Sequence, residues 1–329
     1  MKIKIKTGYT IIELMIAVTL SMFLIISILT VFMNNKNTVI TQNNVAKMQD
    51  DSRLAFTFMQ NDIENAGFKG CQSDILTGMT GATLYNVASP INYFSNSGFI
   101  QGYVGTGASF SPAADPYIGA LGPSANRAMD VLSVRTTLSN PSVLSADMAN
   151  PSAPITLYSV DKSLSTAIPA IATNCYSTSI FNIGSVAGTV ITPSASLGAA
   201  YTVGSEVYSY DTITYYVGTD NVLYRVVDNG TSMPLAYNVE KFSVLYSINN
   251  NAITSPSNVN EYVYANSVAN FNQVVSVRIG LVIKSNDMFT TSTTKAAYSY
   301  KFNGQTITPG DGKIRKIYFT TIALRNTLQ

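Results

Sequence analysis

The chain has 329 residues, enough for a real buried core in one large domain or two smaller ones, yet only 12% of them are charged. Net charge is +2, and Lys2, Lys4 and Lys6 fall in the first six residues; without them the remainder stands near −1, which leaves no basic field along the body to hold nucleic acid. Histidine is absent, which excludes Ser-His-Asp and Cys-His catalysis and removes the commonest zinc ligand.

Residues 1–8 read MKIKIKTG. From Tyr9 to Met33 runs YTIIELMIAVTLSMFLIISILTVFM, 25 residues with a single charge, Glu13. As a helix rising about 1.5 Å per residue it spans roughly 37 Å, enough to cross a bilayer core. The lysines before it predict a cytoplasmic N-terminus and a body on the far side. The apolar run is too long for a signal-peptide core, and no small-x-small cleavage site follows Met33, so the segment is expected to be kept. Thr10-x-x-Glu13 forms a capping box, and a carboxylate in the first turn suits the helix dipole. Glu13 also precedes twenty uncharged residues. An unpaired carboxylate at membrane depth is costly, so a partner for it is expected as well.

Helical patterning continues over residues 34–66. Val45, Met48, Ala55, Met59 and Ala66 lie near one face, with Leu54, Phe58 and Ile63 close by, while Lys47, Gln49, Asp50, Arg53, Gln60 and Asn61 fall mostly elsewhere. The weakly periodic, Asn-rich stretch Thr38 to Asn44 predicts a bend or a melted turn. Gly67 supplies the left-handed residue that ends the helix.

The body from Gln72 to about Asn150 is rich in Gly, Ser, Pro and Asn. Val131 to Thr137 and Ile155 to Val160 read as strands, and NCYSTSIFNIGSV as a strand with a turn at Asn182 to Ser185. Ile213 to Val217 and Val222 to Val227 flank Gly218-Thr-Asp-Asn221, a hairpin signal. Phe242 to Ile248 alternates, and so does Val275 to Lys284, where one buried face is expected. A last strand, Ile314 to Leu324, follows the turn Pro309-Gly-Asp-Gly312. Most of the twenty tyrosines, Tyr215, Tyr216, Tyr224 and Tyr246 among them, sit inside strands, where sheet packing explains them better than a binding surface. The turns Asp228-Asn-Gly230 and Asp311-Gly312 lack the spacing of a calcium loop and read as ordinary turns. The two cysteines, Cys71 and Cys175, form no C-x-x-C motif; in an exported chain they suggest one disulfide, with a pair of buried thiols as the alternative.

Gly8-Tyr-Thr-Ile-Ile-Glu13 behind a short basic leader resembles the class III leader of type IV pilins. The resemblance implies cleavage by a prepilin peptidase between Gly8 and Tyr9, and N-methylation of Tyr9, which stands where the family usually has Phe. It also implies pairing of Glu13 with the free amine of a neighbouring subunit. AKMQDDSRLAFTFMQNDIENAGFKGC, from Ala46 to Cys71, is similar to the helix end of PilW-type minor pilins. So are ITYYVG with LYRVV, VVSVRIGLVIKS, and the closing DGKIRKIYFTTIALRN. Type II secretion pseudopilins share the leader and helix.

Together these readings give an α+β fold, a long N-terminal pilin helix packed on a C-terminal antiparallel β-sheet domain. Its expected parts are a leader (1–8), a transmembrane helix (9–33), an amphipathic continuation (34–66) and a β-rich head (67–329). The resemblance implies a structural minor pilin with no enzymatic activity and no cofactor or metal, placed in the inner membrane with its head in the periplasm and later in the pilus. Its implied partners are the prepilin peptidase, other major and minor pilins, the inner-membrane assembly platform and membrane lipid. No direct nucleic-acid contact is predicted. A membrane-anchored periplasmic binding protein or adhesin is the reading from another class.

Overall fold

The computed structural model describes residues 10–70, 83–86, 99–113, 124–174, 176–228, 230–248, 262–288 and 299–327. Helix α1 spans Ile11–Glu64, 54 residues or about 81 Å. Thr10 caps it: its hydroxyl accepts the Glu13 amide at 3.4 Å, and the Glu13 carboxylate accepts the Thr10 amide at 3.0 Å. No break occurs between Thr38 and Asn44, contrary to the bend expected there. That stretch holds no Gly or Pro. The hydroxyls of Thr38 and Thr41 donate to the carbonyls of Asn34 and Asn37, at 2.9 and 2.7 Å, rather than competing for the backbone amides. Gly67, at φ 74°, turns the chain after the helix as expected, and its amide donates to the Arg135 carbonyl at 3.0 Å.

The strands are short and numerous. They begin with β1 (Thr83–Asn86), β2 (Ile100–Gly105), β3 (Phe110–Ser111), β4 (Val131–Thr136), β5 (Ser142–Val143), β6 (Ile155–Thr156) and β7 (Pro169–Thr173). Next come β8 (Ser177–Ala187), β9 (Val190–Pro193), β10 (Glu206–Ser209), β11 (Asp211–Val217), β12 (Leu223–Val227) and β13 (Met233–Ala236). The last are β14 (Val239–Ile248), β15 (Tyr262–Tyr264), β16 (Val274–Met288), β17 (Tyr300–Phe302), β18 (Gln305–Ile307) and β19 (Lys313–Ala323). The Ile155 strand is thus shorter than its sequence suggests, and the expected turn at Asn182 to Ser185 is a register shift inside the continuous β8. The β11–β12 hairpin forms as expected, with Asn221 at φ 61° and Val217 opposite Leu223.

Two antiparallel sheets enclose the main core. One runs β13-β12-β11-β4-β2-β3 and the other β15-β14-β16-β19. The second half of α1 packs between them: Met48, Ala55, Met59 and Ile63 join Leu132, Ile213, Leu223, Phe242, Val277 and Ile322 in one buried cluster. Leu54, expected near the apolar face, remains exposed. Strand β16 is buried on its core face and, around Gly280 and Val282, on its outer face as well, where the β17–β18 hairpin lies over it; Arg278 on that outer face stays exposed. A Cβ at Gly280 would come within 2.8–2.9 Å of Phe319 and Phe302.

Residues 137–210 form a separate unit. Strands β4 and β11 are hydrogen-bonded neighbours, Thr136 opposite Asp211, so the main sheet does not need what lies between them. That excursion builds the order β5-β10-β7-β8-β9-β6. The bridge Leu144–Leu157, with Ser145 N–H to Thr156 O at 2.9 Å and Tyr158 N–H to Val143 O at 3.0 Å, then joins β6 back to β5 and closes a small barrel. Its interior is filled by Leu144, Ile155, Ala172, Phe181, Ile191, Leu197, Tyr201 and Val207. Strand β1 adds to β8 in parallel.

The Asp211 carboxylate ties the two stalks of this barrel. It accepts the Leu138 amide on the way out and the Ser209 hydroxyl on the way back, each at 2.9 Å. Asp228 sits beside it and accepts the Thr212 amide at 2.8 Å. Burial, reinforced by the Asp211 charge, pushes the Asp228 carboxyl up to about 7. Its folded value lies above the ordinary 3.8, so the folded state favours the protonated form. Stability should therefore be fullest below about pH 4 for this group and fall as pH rises through about 7, by on the order of 1–3 kcal/mol. Thermal unfolding of the full chain in detergent between pH 5.5 and 8 should show the decline. The variant Asp228→Asn should flatten it and raise the pH 8 melting temperature.

Candidate assembly helix and its anchorage

The first half of α1 touches nothing in the rest of the described chain. Every large apolar side chain from Ile11 to Met33 is exposed, from 80% at Ile11 to 50% at Ile26. Its hydroxyls are satisfied within the helix: Thr19, Ser27 and Thr30 donate to the carbonyls of Met15, Phe23 and Ile26 at 2.8–3.1 Å. A continuous apolar surface of this length needs lipid or other helices around it. Among the described residues the Glu13 carboxylate meets the amide and hydroxyl of Thr10 alone, so the cap forms with the carboxylate on an exposed part of the helix.

The second half is fastened by polar groups as well as by packing. Asp62 is buried on the helix face that enters the core. It takes the Arg225 guanidinium at two points, 2.8 and 3.2 Å, and accepts the Tyr215 hydroxyl. Burial first, and then the Asp62 charge, keep the Tyr215 hydroxyl protonated far above the usual range. This triad joins α1 to β11 and β12 across more than 150 residues of sequence. The helix end is held too. Thr136 donates to the Asn65 carbonyl at 2.7 Å, Asn326 to the Ala66 carbonyl at 2.9 Å, and Arg325 pairs with Glu64 at 2.6 Å. The last described turn of the chain, Arg325–Thr327, thus clamps the end of the helix.

Beyond the helix the chain runs onto the barrel. The Lys69 carbonyl accepts hydroxyls from Thr173 and Thr178, at 3.1 and 2.9 Å. Gly70, at φ 77°, lies so close to Thr173 that no side chain fits. Phe68 meets Tyr208 edge-on at 5.1 Å between ring centres.

Of the residues singled out in the sequence, Glu13 is described, whereas Gly8, Tyr9, Cys71 and Cys175 lie outside the described residues. Near them in sequence, Gly70 closely approaches Thr173, two residues before Cys175. The tyrosines Tyr215, Tyr216 and Tyr246 are buried in the sheets, as packing predicts. The Asp311 turn is tied internally, its carboxylate held by Arg315 at 2.7 Å. Sequence reasoning missed the Asp62–Arg225–Tyr215 triad. Its one signal was an acidic residue between Met59 and Ile63, on the apolar face.

Replacing Asp62 by Ala should cost about 3–5 kcal/mol, because Arg225 and the Tyr215 hydroxyl would stay buried without their acceptor. The pair Asp62→Leu with Arg225→Met should recover most of that loss. Denaturant unfolding followed by near-UV circular dichroism in detergent measures both.

Neither the curated proteins nor the solved structures include a match to this chain. A family model does match: residues 201–326 fit the model described as PilW, type IV pilus-assembly protein W. The match runs from just before β10 through β19, and so takes in the whole β15-β14-β16-β19 sheet and strands β11, β12 and β13 of the other. Residues 201–326 are thus similar to the PilW family, whose model is described as a type IV pilus-assembly protein.

Proposed function

We propose that the chain is a structural minor pilin, cleaved between Gly8 and Tyr9 by a prepilin peptidase and N-methylated at Tyr9. It is held in the inner membrane by residues 9–33, with the N-terminus cytoplasmic, and then incorporated into a type IV pilus through the same helix. The observation that carries this is the division of α1: a bare apolar half continuous with a half locked into the head. Residues 34–66 serve as an amphipathic continuation, and 67–329 as the head. Glu13 pairs with the free amine of a neighbouring subunit, which gives the carboxylate a reason to sit at membrane depth.

Cys71 and Cys175 form a disulfide in this reading, and the contact of Gly70 with Thr173 supports it. The bond would close a loop of about 100 residues and add up to about 4.7 kcal/mol in the chain-entropy model. It would fix the barrel to the far end of the helix, the end away from the membrane. A head from Gln72 onward has a radius of gyration of about 18 Å, whereas packed helices lie about 8–10 Å apart. Heads this large crowd when repeated on every subunit, which favours a place in a tip or initiation complex.

Mass spectrometry of pili or membranes should find a mature chain of 321 residues beginning with N-methyl-Tyr9; assembled protein beginning at Met1 would sink the proposal. Glu13→Ala should insert normally but lose assembly, since breaking a buried pair costs about 3–5 kcal/mol. Counting pili by electron microscopy decides it, and normal piliation would leave Glu13 with its capping role alone. Alkylation under denaturing conditions should detect no free thiol in periplasmic material. Quantitative proteomics of sheared pili tests the tip position, which abundance equal to that of the major subunit would overturn.

A further inference from the structure

The charges are not evenly divided along the chain. Residues 239–329 carry nine Lys and Arg against four Asp and Glu, whereas residues 9–238 carry eight against fourteen. The basic excess belongs to the segment that builds the β15-β14-β16-β19 sheet and its covering hairpin. Phe242, Val244, Val277 and Ile279 face the core, so alternation puts Lys241 and Arg278 on the opposite, outer face. Phe319 is opposite Gly280 and Thr321 opposite Arg278, on that same face.

Two acids of this face, Glu240 and Asp311, are already engaged: both bind Arg315, at 2.8 and 2.7 Å. Among the described residues no carboxylate pairs with Lys241, Arg278 or Lys301. Arg278 is exposed, its guanidinium 5.0 Å from the centre of the Phe319 ring, and that ring is itself 43% exposed. Phe302 stacks on the other part of this aromatic pair at 5.6 Å, and Lys301, its neighbour in β17, is exposed. A fixed aromatic ring with a guanidinium laid on it loses little side-chain freedom on binding.

We propose that this outer face, centred on Arg278 and Phe319 with Lys241 and Lys301 around them, docks a carboxylate-bearing protein surface on a neighbouring subunit of the same assembly. The inference rests on the filament reading given above and adds which side of the head meets a neighbour and by what chemistry. One feature favours a protein over nucleic acid: arginine and exposed aromatic rings are the groups that dominate protein interfaces. Charge complementarity is present within the chain itself, since residues 9–238 offer an acidic excess to a subunit built the same way.

The test is photo-crosslinking in intact cells, with benzoylphenylalanine placed at Thr321 of the full chain, and at Val18 in a parallel strain. Thr321 is exposed and opposite Arg278. The crosslinked peptide is identified by mass spectrometry. The expected partner is an Asp/Glu-containing surface peptide of another pilus subunit, with yield reduced at least fivefold by Arg278→Glu combined with Lys301→Glu. Crosslinks at Val18 without any at Thr321 would overturn the docking face and leave the filament reading standing. Loss of both would remove the filament reading and this proposal with it. Adducts only to lipid or nucleic acid, or a yield indifferent to charge reversal, would also overturn it.

Discussion

One helix must satisfy two incompatible surroundings, and the rest of the molecule is arranged around that constraint. From Ile11 to Met33 its surface is apolar on every side and touches no other part of the described chain. From Met48 onward one stripe is buried in protein. A uniform surface suits lipid, where no face is preferred, while a stripe suits a sheet on one side. The helix is continuous through the change, and threonines in the connecting stretch return their hydroxyls to the preceding turn. Any movement imposed on the exposed half is therefore delivered to the head as a rigid rod.

That rod explains the concentration of polar fastenings at its far end. Apolar packing resists separation but tolerates sliding, since one methyl contact replaces another at little cost. Directional bonds do not. Asp62, Glu64, Asn65 and Ala66 each engage a partner distant in sequence: Arg225 and Tyr215, Arg325, Thr136, and Asn326. One sheet, through β4, β11 and β12, and the C-terminal turn are thereby registered against the end of the helix. Burying an ion pair is a poor route to stability in general. Fixing the register of a helix against a sheet is a use for which directional bonding has an advantage.

The parts of this arrangement that local pattern dictates were legible in the sequence. The apolar span, the capping box, Gly67 and the β11–β12 hairpin each follow from a few adjacent residues. The parts set by distant pairing were not. Ser, Ala and Thr are the commonest residues of 137–210, and every strand there but β8 has only two to five residues, which leaves little periodicity to read, so a closed barrel gave no signal beyond isolated apolar runs. The burial of the outer face of β16 around Gly280 depends on a hairpin more than ten residues downstream. Asp62 could be placed on the apolar face, but its partners sit some 160 residues away. Thr38 to Asn44 misled in the opposite direction, because low helix propensity was outweighed by the helix on either side.

The barrel set between β4 and β11 also bears on the order in which the chain folds. Pairing Thr136 with Asp211 closes a loop through all of residues 137–210. Closing a loop of that length as random coil costs entropy before any sheet contact offsets it. A barrel with its own core folds from its own contacts and brings Leu138 and Ser209 together at one carboxylate. Once it has done so, the loop left to close is only a few residues long. The main sheet then assembles around a preformed barrel.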